Sequence, residues 1–64
     1  MKRVYACLLG NWVDITDKGL LHQRSALTYV DEEIQDMFSY DYINVSYENK
    51  NYRIHPSFIQ IVTE

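Results

Sequence analysis

An α+β domain, a small antiparallel sheet of four to five strands with one short helix, is the fold class that this 64-residue sequence predicts. Three observations point to it. Two stretches, "RVYACLLGNWVDIT" and "YINVSYENKNYRIHP", alternate apolar and polar residues around turn-forming dipeptides, which is the pattern of hairpins. One stretch, "TYVDEEIQDMF", carries its apolar residues at helical spacing. The chain then runs through a proline into the apolar strand of "SFIQIVTE".

Size constrains how such a fold is held together. Sixty-four residues make one domain, residues 1–64, with one small core. A chain this short keeps roughly 3–5 kcal/mol of net stability without a staple. Its single cysteine, Cys7, excludes an internal disulfide. Apolar burial must therefore hold the fold, and a hydrophobic content of 47% is enough to do so.

The first hairpin centres on Gly10-Asn11, with Leu8 expected opposite Val13 and Ala6 opposite Ile15. One face then collects Val4, Ala6, Leu8, Val13 and Ile15 as core. The other collects Tyr5, Cys7, Leu9, Trp12, Asp14 and Thr16. "TDKG" reads as a turn, and "LLHQRSAL" has no clear period, so it reads as a packed loop or a short strand. The helix is expected at about 29–38, with a start near Ser25 as the variant. Val30, Ile34, Met37 and Phe38 form its apolar stripe, and Thr28 caps it as in a capping box with Asp31. Asp31, Glu32 and Glu33 in its first turn suit the positive end of the helix dipole.

The second hairpin is expected to turn at Asn49-Lys50, pairing Tyr47 with Tyr52 and Val45 with Ile54. Pro56 ends that strand, because it has no N–H to give a ladder. The last strand, with Ile59 and Ile61 on one face, closes the sheet against the first strand and completes the core. Its apolar character suits a place between other elements, while an open edge would serve dimerisation or capture of a partner strand.

The stretch "YRIHPSFIQIV" resembles the end of an SH3-like domain, where a strand runs into a Pro-Ser helical turn, an apolar pair and a last short strand. Ile54, Pro56, Ser57, Phe58, Ile59 and Val62 carry the resemblance. It implies a partly open SH3-like β-barrel as the alternative architecture. It also implies a groove for a proline peptide, built from aromatics such as Tyr5, Trp12 and Phe58.

Several function classes recede on composition. Met1-Lys2-Arg3 resembles the start of an export signal, but the apolar run from Val4 to Leu9 is too short for a signal core or a membrane span. A cytoplasmic location with no membrane association is expected. The abundance of Ile, Asn and Tyr, whose codons are AT-rich, points to an AT-rich bacterial, plasmid or phage genome.

Cys7, His22 and His55 are the only candidates for a nucleophile or base, and Asp14 near Cys7 opposes a thiolate. The two glycines are isolated, so no phosphate loop exists. His22 and His55 lack zinc spacing and read as surface histidines. No enzyme activity, metal or cofactor is expected.

Two binding chemistries remain. The six tyrosines, Trp12, Lys50 and Arg53 would make a stacking platform for nucleic acid, with Arg53 and His55 as its basic patch. A net charge of −3 weighs against that partner, and the tyrosines read equally as sheet core and rim. Asp31, Glu32, Glu33, Asp36 and Asp41 follow one another with no Lys or Arg between them. That run is either a solvated face or a dock for a basic partner. The expected function is a small non-catalytic protein-interaction module working through Tyr5 and Trp12, or through Glu32, Glu33 and Asp36, with Arg53 as the further candidate. Its partner's identity is not readable, and a homodimer stays open. The alternative is a regulatory nucleic-acid-associated protein, phage- or plasmid-borne.

Overall fold

The structure, a computed structural model, describes residues 1–33 and 35–64. Its elements in order are β1 (Lys2–Leu8), β2 (Asn11–Asp14), β3 (Leu20–Leu21), β4 (Arg24–Ser25), α1 (Ala26–Glu33), β5 (Ile43–Tyr47), β6 (Lys50–Ile54) and β7 (Ile59–Thr63). Single 3-10 turns lie at Met37–Ser39 and Pro56–Phe58. Every strand pair is antiparallel, and the strands form two sheets, ordered β2-β1-β7 and β4-β3-β5-β6. The fold is thus a small α+β arrangement, with two sheets where one was expected. Among the described residues no ladder joins the sheets, and they do not close into a barrel. The extra strands come from the stretch of unclear period. It folds into a minimal hairpin, β3–β4, and β3 pairs with β5.

Both longer hairpins turn one residue earlier than their composition suggests. β1 and β2 are joined by Leu9-Gly10, placing Ala6 opposite Val13 and Leu8 opposite Asn11. β5 and β6 are joined by Glu48-Asn49, placing Val45 opposite Tyr52 and Ile43 opposite Ile54. In each two-residue loop both φ values are positive, 52° and 86° at Leu9 and Gly10, and 51° and 65° at Glu48 and Asn49. That is the mark of a type I′ turn, whose twist matches the flanking strands. Gly10 and Asn49, the residues that tolerate this backbone best, take the second turn position rather than the positions first expected of them. Each partner moves by two residues, which preserves the face of every side chain. Val4, Ala6, Leu8, Ile15, Ile43 and Val45 are accordingly buried. His22-Gln23, between β3 and β4, is a third loop of this kind, with φ of 50° and 68°.

The helix begins early. The Thr28 N–H donates to Ser25 Oγ at 3.3 Å, and the Ser25 hydroxyl donates to Thr28 Oγ1 at 2.8 Å. Ser25, arriving straight from β4, is the N-cap, and Thr28 is the third helical residue. Asp31, Glu32 and Glu33 therefore close the helix instead of opening it. They sit at its negative end, where carboxylates are disfavoured, and cations from elsewhere offset this. Lys2 Nζ lies 3.1 Å from Asp31, while Arg24 reaches Glu32 at 2.6 Å and Glu33 at 3.8 Å. Of the expected apolar stripe, Val30 is buried in α1, while Met37 and Phe38 lie in the following 3-10 turn. Ile34 lies outside the described residues.

β7 pairs with β1 from Lys2↔Thr63 to Ala6↔Ile59, as the terminal apolar run suggests. It lies at a sheet edge, not between elements, because β2 holds the other side of β1. Ile59 is buried, Ile61 is half-buried and Val62 is exposed. Among the described residues the core joins Ile59 and the buried residues of β1 and β5 to Leu21, Ala26, Tyr29, Val30 and Met37, so both sheets and the helix share it. The turn after β2 requires its glycine. The Gly19 N–H donates to Ile15 O at 2.9 Å, and a Cβ on Gly19 would overlap the Ile15 side chain.

One buried polar group inside β2-β1-β7 was not anticipated. Thr16 is 4% exposed, and its Oγ1 accepts from the Val4 N–H at 2.8 Å. Its hydroxyl and its own N–H both donate to Asp14 Oδ1, at 2.6 Å and 2.9 Å. A backbone donor that would otherwise be stranded under the sheet is thus satisfied through one threonine.

Candidate functional site

An open groove of about 640 Å³ lies between the β3–β4 turn, α1 and the segment that follows the helix. Three segments build it. The β3–β4 turn presents His22, and β4 presents Arg24. Helix α1 presents Tyr29 and Glu33, four residues apart and so one above the other on a single face. The segment after the helix presents Ser39, Tyr40, Asp41 and Tyr42. That segment is held by a short hydrogen-bonded run. The Asp36 N–H donates to Glu33 O and the Ser39 N–H to Asp36 O, each at 3.0 Å, and the Ser39 hydroxyl donates to Asp36 O at 2.6 Å. Tyr40 then turns to extended backbone, with ψ of 152°, and carries the chain along the groove toward β5.

Aromatic rings, His22, Tyr29, Tyr40 and Tyr42, make half of the eight lining positions. His22 lies 5.5 Å from Tyr29 with a tilt of 47°, and 6.4 Å from Tyr40 edge to face. Beside the groove, the Arg53 guanidinium sits over the Tyr42 ring, 4.4 Å from its centroid. Tyr40 and Tyr42 are exposed, whereas Tyr29 is 3% exposed and underlies the groove. Its hydroxyl is shut from solvent and has no hydrogen-bond partner among the described residues.

The electrostatics are mixed but lean negative. One cation, Arg24, lines the groove against two carboxylates, Glu33 and Asp41. Arg24 is committed mainly to Glu32, and the Tyr40 hydroxyl makes a long contact of 3.5 Å to Glu33 Oε2. The Glu33 charge is the main reason that the Tyr40 phenol ionises above its ordinary value of 10.0, with burial and Asp36 adding to it. Tyr29 is also raised, first by burial and then by Tyr40 and Glu33, with Arg24 acting against them.

The structure divides the sequence-derived surface in two. Glu33 enters the groove, Glu32 is at its rim on Arg24, and Arg53 reaches it through Tyr42. Asp36 anchors the 3-10 turn that follows the helix. Tyr5 and Trp12 are elsewhere, on the face of β2-β1-β7 turned away from the core, with Tyr5 half-buried and Trp12 51% exposed. Cys7 is half-buried there, opposite Trp12. His55 is exposed and engaged locally, its Nδ1 accepting from the Ser57 N–H at 3.1 Å.

His22, Tyr29, Tyr40 and Tyr42 were missed as site residues. The available signal was the "YDY" triplet beside an acidic helix, but its use required knowing that the β3–β4 hairpin folds against it. Among the described residues no group of three or more His, Cys, Asp or Glu is placed to hold a metal ion. Among the described residues no helix is long and apolar enough to cross a membrane. No family model, no curated protein and no solved structure matches the chain.

Proposed function

We propose that this domain is a small protein-interaction module with no chemistry of its own, and that its partner docks in the groove between the β3–β4 turn, α1 and Tyr40–Tyr42. The observation that carries this reading is the groove itself. Three tyrosines and a histidine line a concavity of about 640 Å³ on a chain of 64 residues with little apolar surface to spare. Tyrosine suits such a surface, because it offers large contact area with few rotatable bonds and a hydroxyl that reaches water or a partner. Glu33 and Asp41 in the wall oppose phosphate, which weighs for a protein and against a nucleic acid.

A second reading rests on the other exposed aromatics. Trp12 is 51% and Phe58 47% exposed, and with Tyr5 they are the residues that an SH3-like peptide site would use. One experiment separates the two. The chain, its Tyr40→Ala variant and its Trp12→Ala variant are immobilised and used to capture partners from native-host lysate. Each variant is first checked for native circular dichroism. Groove docking predicts a captured protein that is lost with Tyr40→Ala and retained with Trp12→Ala. The opposite pattern assigns the partner to the sheet face and sinks the groove reading.

A further inference from the structure

Resting on that reading, we infer that the groove receives an arginine side chain from a basic segment of the partner protein. Charge and ring chemistry jointly select this occupant. Two carboxylates in the wall face a single lining cation that is already paired, and close by, Glu32 and Asp36 outnumber Arg53 on Tyr42. The chain as a whole carries −3. A cation is thus attracted where a phosphate or carboxylate is repelled.

The rings specify which cation. Tyrosine faces attract cations, and the protein already lays one of its own guanidinium groups, Arg53, on Tyr42. The groove is open, so an incoming group stays partly hydrated. A guanidinium is weakly hydrated and planar, so it stacks on such a wall at little desolvation cost, whereas a compact, strongly hydrated ammonium loses more water to do so.

The polar groups complete the fit. Among the described residues Glu33 is held only by long contacts, 3.5 Å from the Tyr40 hydroxyl and 3.8 Å from Arg24, so its carboxylate is open to a two-pronged partner. Tyr29, 97% buried by its 3% exposure, keeps a hydroxyl without a partner at the groove floor among the described residues. An unpaired buried oxygen is costly, and a guanidinium has five N–H donors to offer. When the side chains of Tyr40 and Glu33 part around the incoming group, that oxygen gains its missing donor.

The test is an amide NMR titration of the full chain with three hexapeptides that differ at one position, arginine, citrulline or lysine. Citrulline keeps the shape of arginine and removes its charge. The arginine peptide is expected to shift His22, Glu33 and residues 39–42, and to bind at least about fivefold more tightly than the citrulline peptide. It should also bind more tightly than the lysine peptide. Glu33→Gln should narrow the difference between arginine and citrulline, with Asp41 and the tyrosine faces keeping the remainder. Tyr29→Phe, which leaves the wall intact, should weaken binding of the arginine peptide. Equal binding of arginine and citrulline, a preference for lysine, or shifts confined to β1, β2 and β7 each overturn the inference. So does a single-stranded oligonucleotide that moves the groove residues more than the arginine peptide does. Loss of the lysate partner with Tyr40→Ala, alongside any of those results, leaves the interaction module standing and removes only the arginine.

Discussion

Leu9 shows how much one residue's backbone matters in so small a domain. It is 87% exposed, buries almost nothing and holds a left-handed φ of 52° beside Gly10. A non-glycine residue in that region carries a penalty of roughly 1–2 kcal/mol, which asparagine largely escapes. Leu9→Asn should therefore stabilise the protein by about 1 kcal/mol, read as a raised thermal midpoint. An unchanged or lowered midpoint would show that the turn is not of the type I′ kind.

Asp14 makes a different residue-scale prediction. The Thr16 hydroxyl, then the Thr16 N–H and Arg3, hold its carboxyl below the ordinary value of 3.8. A group depressed in the folded state adds stability above its unfolded value and loses it as pH falls through the folded one. The midpoint gap between the native chain and Asp14→Asn should be full near neutrality and should shrink as pH drops below 3.8. A gap that is constant with pH would mean that the carboxylate's charge has no part in it.

At the scale of elements, alternation determined which face of each strand is buried but left the turns free to slide. Moving a hairpin turn by one residue shifts each pairing by two and leaves the apolar pattern intact. Val45 is therefore buried whether it faces Ile54, as composition suggests, or Tyr52, as it does. What decides is the backbone demand of the loop, and Leu9, His22 and Glu48 do not advertise a positive φ.

The helix misled for another reason. Asp31-Glu32-Glu33 resembles a first turn, yet Ser25 caps the helix six residues earlier, and the acids are tolerated at the far end because Lys2 and Arg24 meet them. Ser25→Ala should cost about 1 kcal/mol. Thr28→Ala keeps the Ser25 cap to its own N–H and should cost less. The reverse order in urea melts would restore Thr28 as the cap.

The last strand belongs at this scale too. Ile59 is buried by pairing β7 with β1, and a buried isoleucine is worth roughly 1.5–3 kcal/mol. A chain lacking residues 58–64 should lose its cooperative melt in circular dichroism. A folded truncation that has lost only self-association would make β7 an interface instead.

The whole molecule explains why the fold was more legible than the groove. Strand and helix patterns are local, and among the described residues the core positions Val4, Ala6, Leu8, Ile15, Ile43, Val45 and Ile59 lie on strands or hairpin faces that alternation alone identifies. The groove joins residue 22, two positions of α1 and residues 39–42, and its shape depends on a two-residue β-hairpin too short to show any period. The tyrosines were countable from the start, but whether each fills the core or lines a wall is a property of the assembled chain. Tyr29 does both at once.

The pairing of the first strand with the last brings residues 1 and 64 together. The Met1 amino group donates to Glu64 O at 2.9 Å, and the Glu64 N–H donates to Met1 O at 2.8 Å. A peptide link of a few glycines between these residues would therefore need no bending of either strand. Head-to-tail cyclisation of these 64 residues would remove chain entropy from the unfolded ring and leave the folded one unstrained. By analogy with closing a loop of this length through a disulfide, the gain is about 4 kcal/mol at most. That is comparable to the whole stability of an unstapled domain of this size. A circular form should also resist exopeptidases at temperatures where the linear chain is digested, because it has no end to fray.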